Sequence, residues 1–88
     1  MKKSEIAVFE IGDYKIYQKN SLRGWAVTIM PINIRIDNFH NFPHIHYSLK
    51  GKHIPIKIND MIMVIEIVKK HILENGKIQK EKLKEELS

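Results

Sequence analysis

The apolar residues of this chain change their period once, and that change limits the folds open to it. Between Glu5 and Ile58 they alternate with polar residues in short runs rich in isoleucine, the pattern of strands with one buried face. From Met61 to Ile72 they recur at helical spacing, with Asn59 or Asp60 placed to cap the helix and Gly76 to stop it. Strands therefore come first and the helix last. This predicts an α+β chain, an antiparallel sheet of about five strands followed by a C-terminal helix packed on one face. Residues 1–76 form a single α+β domain in this reading. Residues 77–88 alternate lysine and glutamate around Ile78, Leu83 and Leu87, and form a charged C-terminal helix or tail.

The strand region divides at its turn signals. Glu5 to Glu10 and Tyr14 to Gln18 flank Gly12-Asp13 as a hairpin, with Phe9 facing Ile16 and Glu10 facing Lys15. Residues 19–24 read as a loop. Trp25 to Asp37 reads as one long strand, bent or bulged at Pro31. Ala26, Thr28, Met30, Ile32, Ile34 and Ile36 then share one face. Trp25, Val27 and Ile29 occupy the other, which turns polar at Asn33, Arg35 and Asp37. After a loop over 38–43, the run from His44 to Leu49 alternates strictly. Ile45, Tyr47 and Leu49 take the core side, and His44, His46 and Ser48 the other. Residues 50–53 make a turn, and Ile54, Ile56 and Ile58 form the core face of a last strand. Trp25, Val27 and Ile29 fall on the face the helix leaves open, a patch suited to another protein or to a second copy in a homodimer.

Composition narrows the function classes. The chain has 88 residues, the size of one domain. It has no cysteine, which excludes disulfides and thiolate metal sites and fits a reducing compartment. The N-terminal apolar run is too short and interrupted for a signal peptide, and no segment reaches the length of a membrane span, so a cytoplasmic location is expected. Fifteen Lys and Arg against 10 Asp and Glu give a net charge of +5, which favours an acidic partner such as nucleic acid. Usage rich in lysine and isoleucine fits a thermophile, and equally an AT-rich genome.

The residues that carry chemistry cluster between Arg35 and His46. Folding back the strand that ends at Asp37 against the strand that starts at His44, with both apolar faces kept together, sets Asp37 opposite His44. The same register sets Arg35 opposite His46 and Asn33 opposite Ser48. Adding the next strand with Leu49 opposite Ile54 and Tyr47 opposite Ile56 brings Lys57 beside His46 and Asn59 beside His44. His40 overhangs these rows from the loop, with Asn38 and Asn41 near it. Such a set suits cleavage of an RNA phosphodiester. Histidine works as general acid or base near neutral pH, and Asp37 orients His44. Arg35 and Lys57 hold the phosphate, with Asn38, Lys50 and Lys52 as further contacts to the nucleic acid. The attacking group is the ribose 2′-hydroxyl, so no cofactor is required. Catalytic work thus falls to His40, His44, His46, Asp37 and Arg35.

Two other readings use the same residues. A His-x-His pair on a strand turns both rings to one side, and His44, His46 and Asp37 form an alternative metal-ligand set. A non-catalytic module could hold nucleic acid or protein on the same basic face. Phe39 and Phe42 could stack on bases but more often anchor a loop to the core. His53 lies in a turn and His71 near a helix C-terminus, where a partly charged ring is favoured; neither is assigned a function.

The stretch Arg35-Ile36-Asp37-Asn38-Phe39-His40-Asn41-Phe42-Pro43-His44-Ile45-His46 resembles the signature of the TumE toxin family, through Arg35, Asp37, Asn38, His40, Pro43, His44 and His46. The strand and Gly-stopped helix that follow are also similar. The first thirty residues match only in being strand-rich. The resemblance implies the toxin half of a type II toxin–antitoxin pair, with a helix-turn-helix antitoxin as partner.

Overall fold

Each strand returns against its predecessor because the turns between them are short. The computed structural model describes residues 4–47 and 51–88, with only the backbone described for residues 4–7. Six strands form one antiparallel sheet in sequence order: β1 (Ser4–Ile11), β2 (Tyr14–Ser21), β3 (Gly24–Met30), β4 (Ile34–Asp37), β5 (His44–His46) and β6 (Ile54–Pro55). Two helices follow, α1 (Met61–Asn75) and α2 (Lys80–Leu87). The fold is thus α+β. Among the described residues no helix is long and apolar enough to cross a membrane.

The first hairpin has the expected register, Phe9 opposite Ile16 and Glu10 opposite Lys15, around Gly12 at φ 59°. The expected loop over 19–24 is mostly strand. β2 and β3 pair through to Ser21 and Gly24, which leaves Leu22-Arg23 as a two-residue turn. Gly24 has φ 146°, and a Cβ there would run into the Asn38 side chain.

The largest departure is the run from Trp25 to Asp37. It is two strands, not one bent strand. Pro31-Ile32-Asn33 forms a turn, with Asn33 at φ 58°, and β4 folds back on β3. Ile29 pairs with Ile34 and Val27 with Ile36. Odd residues of β3 therefore share a face with even residues of β4. Trp25, Val27 and Ile29 join Ile34, Ile36 and Ile45 in the core instead of forming an exposed docking patch. Ala26, Thr28 and Met30 fall on the opposite face. The physical reason is parity: alternation fixes which residues share a face within a strand, and a turn can transfer the apolar set from odd to even positions.

α1 covers the apolar face of the sheet. Asp60 caps it, accepting from the backbone N–H of Ile62 (2.9 Å) and Met63 (3.2 Å). Gly76, at φ 76°, ends it and donates its N–H to the Ile72 carbonyl at 2.7 Å. Val64, Ile65, Val68 and Ile72 pack into the core. Full burial contributes roughly 1.5–3 kcal/mol for each such side chain. The charged C-terminal segment is a helix that helps to close the core, since Leu83 and Leu87 of α2 are fully buried there. The Leu87 carbonyl also accepts from the backbone of Lys57 (3.2 Å) and Ile58 (3.4 Å), tying the chain end to the segment after β6.

His71 lies near the C-terminal end of α1, as expected. It is buried between the helices, with Nδ1 2.9 Å from Glu86 Oε1 and Nε2 accepting the Gln79 N–H at 2.9 Å. Since Nε2 accepts, Nδ1 is the nitrogen that donates to Glu86.

Candidate functional site

β4 and β5 pair as the alternation predicts, with Arg35 opposite His46, Ile36 opposite Ile45 and Asp37 opposite His44. The isoleucines turn toward α1. The polar partners turn to the outer face of the sheet and gather around Asp37, which is 2% exposed. Its Oδ2 accepts from Arg35 Nε at 3.0 Å and lies 3.2 Å from His46 Nε2. Its Oδ1 accepts from the backbone N–H of Phe39 at 3.1 Å. His44 Nε2 approaches the same Oδ1 at 2.9 Å, but the direction of approach is not that of a hydrogen bond. The other nitrogen of His44, Nδ1, is 3.0 Å from the Phe42 carbonyl oxygen.

The pairing of β5 with β6 differs from expectation. His44 lies opposite Pro55 and Ile45 opposite Ile54. The expected pairs had Leu49 opposite Ile54 and Tyr47 opposite Ile56, four residues further along β5. A slip of four preserves every inward and outward side chain, so alternation cannot distinguish the two registers. The observed pairing carries Lys57 and Asn59 away from His46 and His44. Continued outward, it sets His53 opposite His46. Lys50 and Ser48, and with them the expected Asn33–Ser48 pair, lie outside the described residues.

His53 belongs to the site although its place in a turn gave no sign of it. Its ring stacks on that of His44, with centroids 4.3 Å apart and planes 11° from parallel. It also lies 4.8 Å from the His46 ring and 5.6 Å from that of His40. The available signal was clustering: four of the five histidines fall between His40 and His53. Desolvation pushes the His53 imidazole below its ordinary pKa, and the neighbouring His44, His46 and His40 push the same way against Asp37. One nitrogen each from His44, His46 and His53 lies within 4.8 Å of the other two.

The remaining residues of the constellation differ in exposure and in what they hold. His44 is 0% exposed and His46 8%, whereas His40 is exposed and has a left-handed backbone, φ 66°. His44 is therefore shut off from solvent in this arrangement. The Asn38 side chain is engaged within the protein. Its Oδ1 accepts the Trp25 N–H at 2.8 Å, and its Nδ2 donates to Asn59 Oδ1 at 3.0 Å. Asn59 Oδ1 also accepts from Trp25 Nε1 at 3.2 Å. Lys52 and Lys57 are exposed. The ring of Phe39 sits under the Arg35 guanidinium, 5.6 Å from its Cζ, and Phe42 packs 5.0 Å from His44.

Beside the histidines the outer face is concave. One hollow of about 390 Å³ is lined by Lys19, Arg23, Phe39 and His40. A second of about 320 Å³ is lined by Tyr17, Lys19, Thr28 and Arg35. Lys19 borders both. The fold and site thus define a six-stranded meander backed by helices, with a histidine–aspartate centre on the face opposite the isoleucine core. Comparisons with protein-family models, curated proteins and solved structures find no match for this chain.

Proposed function

We propose that this protein acts on RNA, as the toxin half of a type II toxin–antitoxin pair. The observation that carries the reading is the join between the two hollows and the Asp37 centre. Lys19, Arg23 and Arg35 line the concave surface with positive charge, and Tyr17 and Phe39 offer ring faces in the same place. Single-stranded nucleic acid is held in this way, by cations along its backbone and aromatic side chains against its bases. Asp37 fixes Arg35 where it would meet a phosphate at the edge of the histidine cluster.

The chemistry that fits is transfer of the phosphoryl group within the ribose. A base takes the 2′-hydroxyl proton, the 2′-oxygen bonds to phosphorus, and the 5′-oxygen leaves with a proton from an acid. The products are a 2′,3′-cyclic phosphate and a 5′-hydroxyl. Arg35 balances charge on the phosphoryl oxygens. In the metal-free protein His40, exposed at the hollow, and His46, at the edge of the centre, are the proton carriers within reach. A small helix-turn-helix antitoxin is the expected partner. The same basic face would serve a module that binds RNA without cutting it.

The test uses the purified full chain and 5′-labelled single-stranded RNA. Cleavage to cyclic-phosphate ends is expected, with loss of at least 100-fold in His40→Ala and His46→Ala variants shown to be folded. Binding that persists without cleavage would favour the non-catalytic module. RNA binding no tighter in the parent than in a Lys19→Ala/Arg35→Ala variant would remove the reading altogether.

A further inference from the structure

We propose that His44, His46 and His53 bind a first-row divalent transition metal such as Zn²⁺, with Asp37 as the anion beside it. Such a site would exist whether or not the protein acts on RNA. The nitrogen of His44 that has no hydrogen-bond partner points to it first. The Phe42 carbonyl can only accept, so His44 Nδ1 carries the proton and Nε2 carries the lone pair. That Nε2 is buried and unsatisfied, 2.9 Å from a carboxylate oxygen. A lone pair held against a carboxylate inside a protein is unfavourable unless a positive centre serves both. A proton on the line between them is disfavoured because the approach is off line. A metal does not need that line. Two atoms bound to one ion at ~2.0–2.1 Å lie about 2.9–3.4 Å apart as the angle between them opens from a right angle to the tetrahedral value, with the ion to one side of the line that joins them.

The other two rings complete the set. Nitrogens of His44, His46 and His53 lie within 4.8 Å of one another, and binding would draw them to the roughly 3.3 Å of tetrahedral neighbours. Metal-binding histidines characteristically donate their second N–H to a carbonyl or carboxylate, which fixes the ring and its tautomer. His44 does so through Nδ1 to Phe42, and His46 Nε2 lies 3.2 Å from Asp37 Oδ2. The single negative charge of Asp37 offsets part of the charge of a divalent ion bound by neutral rings. Imidazole nitrogen selects zinc, cobalt, nickel, copper or iron over magnesium and calcium, which prefer oxygen. With Asp37 Oδ1 sharing the ion, the three imidazoles and the carboxylate supply the four donors of a tetrahedral site. His44 and His53 lie side by side where β5 meets the start of β6, and the exposed His53 ring would turn out of the stack to aim its nitrogen at the ion.

The test is metal binding by the full chain, read without any RNA. Protein stripped with a chelator is titrated with Co²⁺, followed by its visible absorption, and with Zn²⁺ against a chromophoric competitor. One saturable equivalent is expected, with a rise in Tm on loading. His53 is exposed, so His53→Ala should keep the fold, checked by circular dichroism, and should weaken Zn²⁺ binding at least 100-fold. His40→Ala and His71→Ala should change it less than threefold. No saturable equivalent in the parent, or His53→Ala binding as tightly as the parent, overturns the proposal. The two proposals fail separately: RNA cleavage that resists chelation in a protein that binds no metal would leave the acid–base reading standing alone. Metal binding in a protein inert toward RNA would leave this one.

Discussion

Replacing Asp37 is the most informative perturbation of the centre, because three hydrogen bonds and a further histidine contact meet on one carboxylate. The contributions differ. Arg35 is 35% exposed, and such a pair is screened and worth at most about 1 kcal/mol. The His46 contact and the Phe39 N–H bond are more shielded, and charge-assisted bonds of this type contribute about 1.5–3 kcal/mol each. Asp37→Asn keeps an oxygen for Phe39 but turns an amide toward Arg35 and His46, so a loss of about 2 kcal/mol is expected. Asp37→Ala leaves the Phe39 N–H, Arg35 and the His46 ring without their acceptor, and about 3–5 kcal/mol is expected for breaking a buried polar cluster from one side. For a domain of this size those losses correspond to falls in Tm of about 8–16 °C and about 12–40 °C. Arg35→Ala should cost about 1 kcal/mol or less. Urea unfolding followed by the fluorescence of Trp25, the single and buried tryptophan, measures all three. The ordering Asp37→Ala, then Asp37→Asn, then Arg35→Ala is the prediction. Asp37→Ala unfolding within about 0.5 kcal/mol of the parent, as surface substitutions do, would refute the view of Asp37 as the hub.

Three further outcomes follow from the packing. Ile29→Ala should cost about 2–5 kcal/mol and Thr28→Ala less than about 0.5 kcal/mol, measured by denaturant unfolding, since Ile29 is fully buried and Thr28 lies on the outer face. Equal costs would contradict the β3–β4 hairpin. His71→Ala should lower stability by about 2–3 kcal/mol by stranding the Gln79 N–H and Glu86, and should speed hydrogen exchange at the Gln79 amide without changing RNA binding. Gly24→Ala should lower Tm and expose Trp25, seen as a red shift in its emission. The new Cβ displaces the Asn38 side chain that accepts the Trp25 N–H, and the alternative result, an unshifted spectrum with Tm unchanged, would show that Asn38 gives way freely.

The change of apolar period was enough to establish strands before the main helix, a cap at Asn59 or Asp60 and the stop at Gly76, because each depends on residues close together in the chain; the structure chose Asp60. The pairing of Arg35 with His46 and Asp37 with His44 was readable for the same reason: a short loop joins two runs whose isoleucines must share a face, and an odd slip would expose them. The division of Trp25 to Asp37 into two strands was not, since an isoleucine-rich run through Pro31 alternates equally well whether it bends or reverses. Only the sheet, closing its core with Trp25, Val27 and Ile29 beside Ile34 and Ile36, settles the parity. His53 entered the cluster through a strand pairing that alternation specifies only to within an even number of residues. The C-terminal leucines became core because α2 turns them back against the sheet. Local pattern names the face a side chain takes; which distant residue stands beside it depends on how the whole chain fills its core.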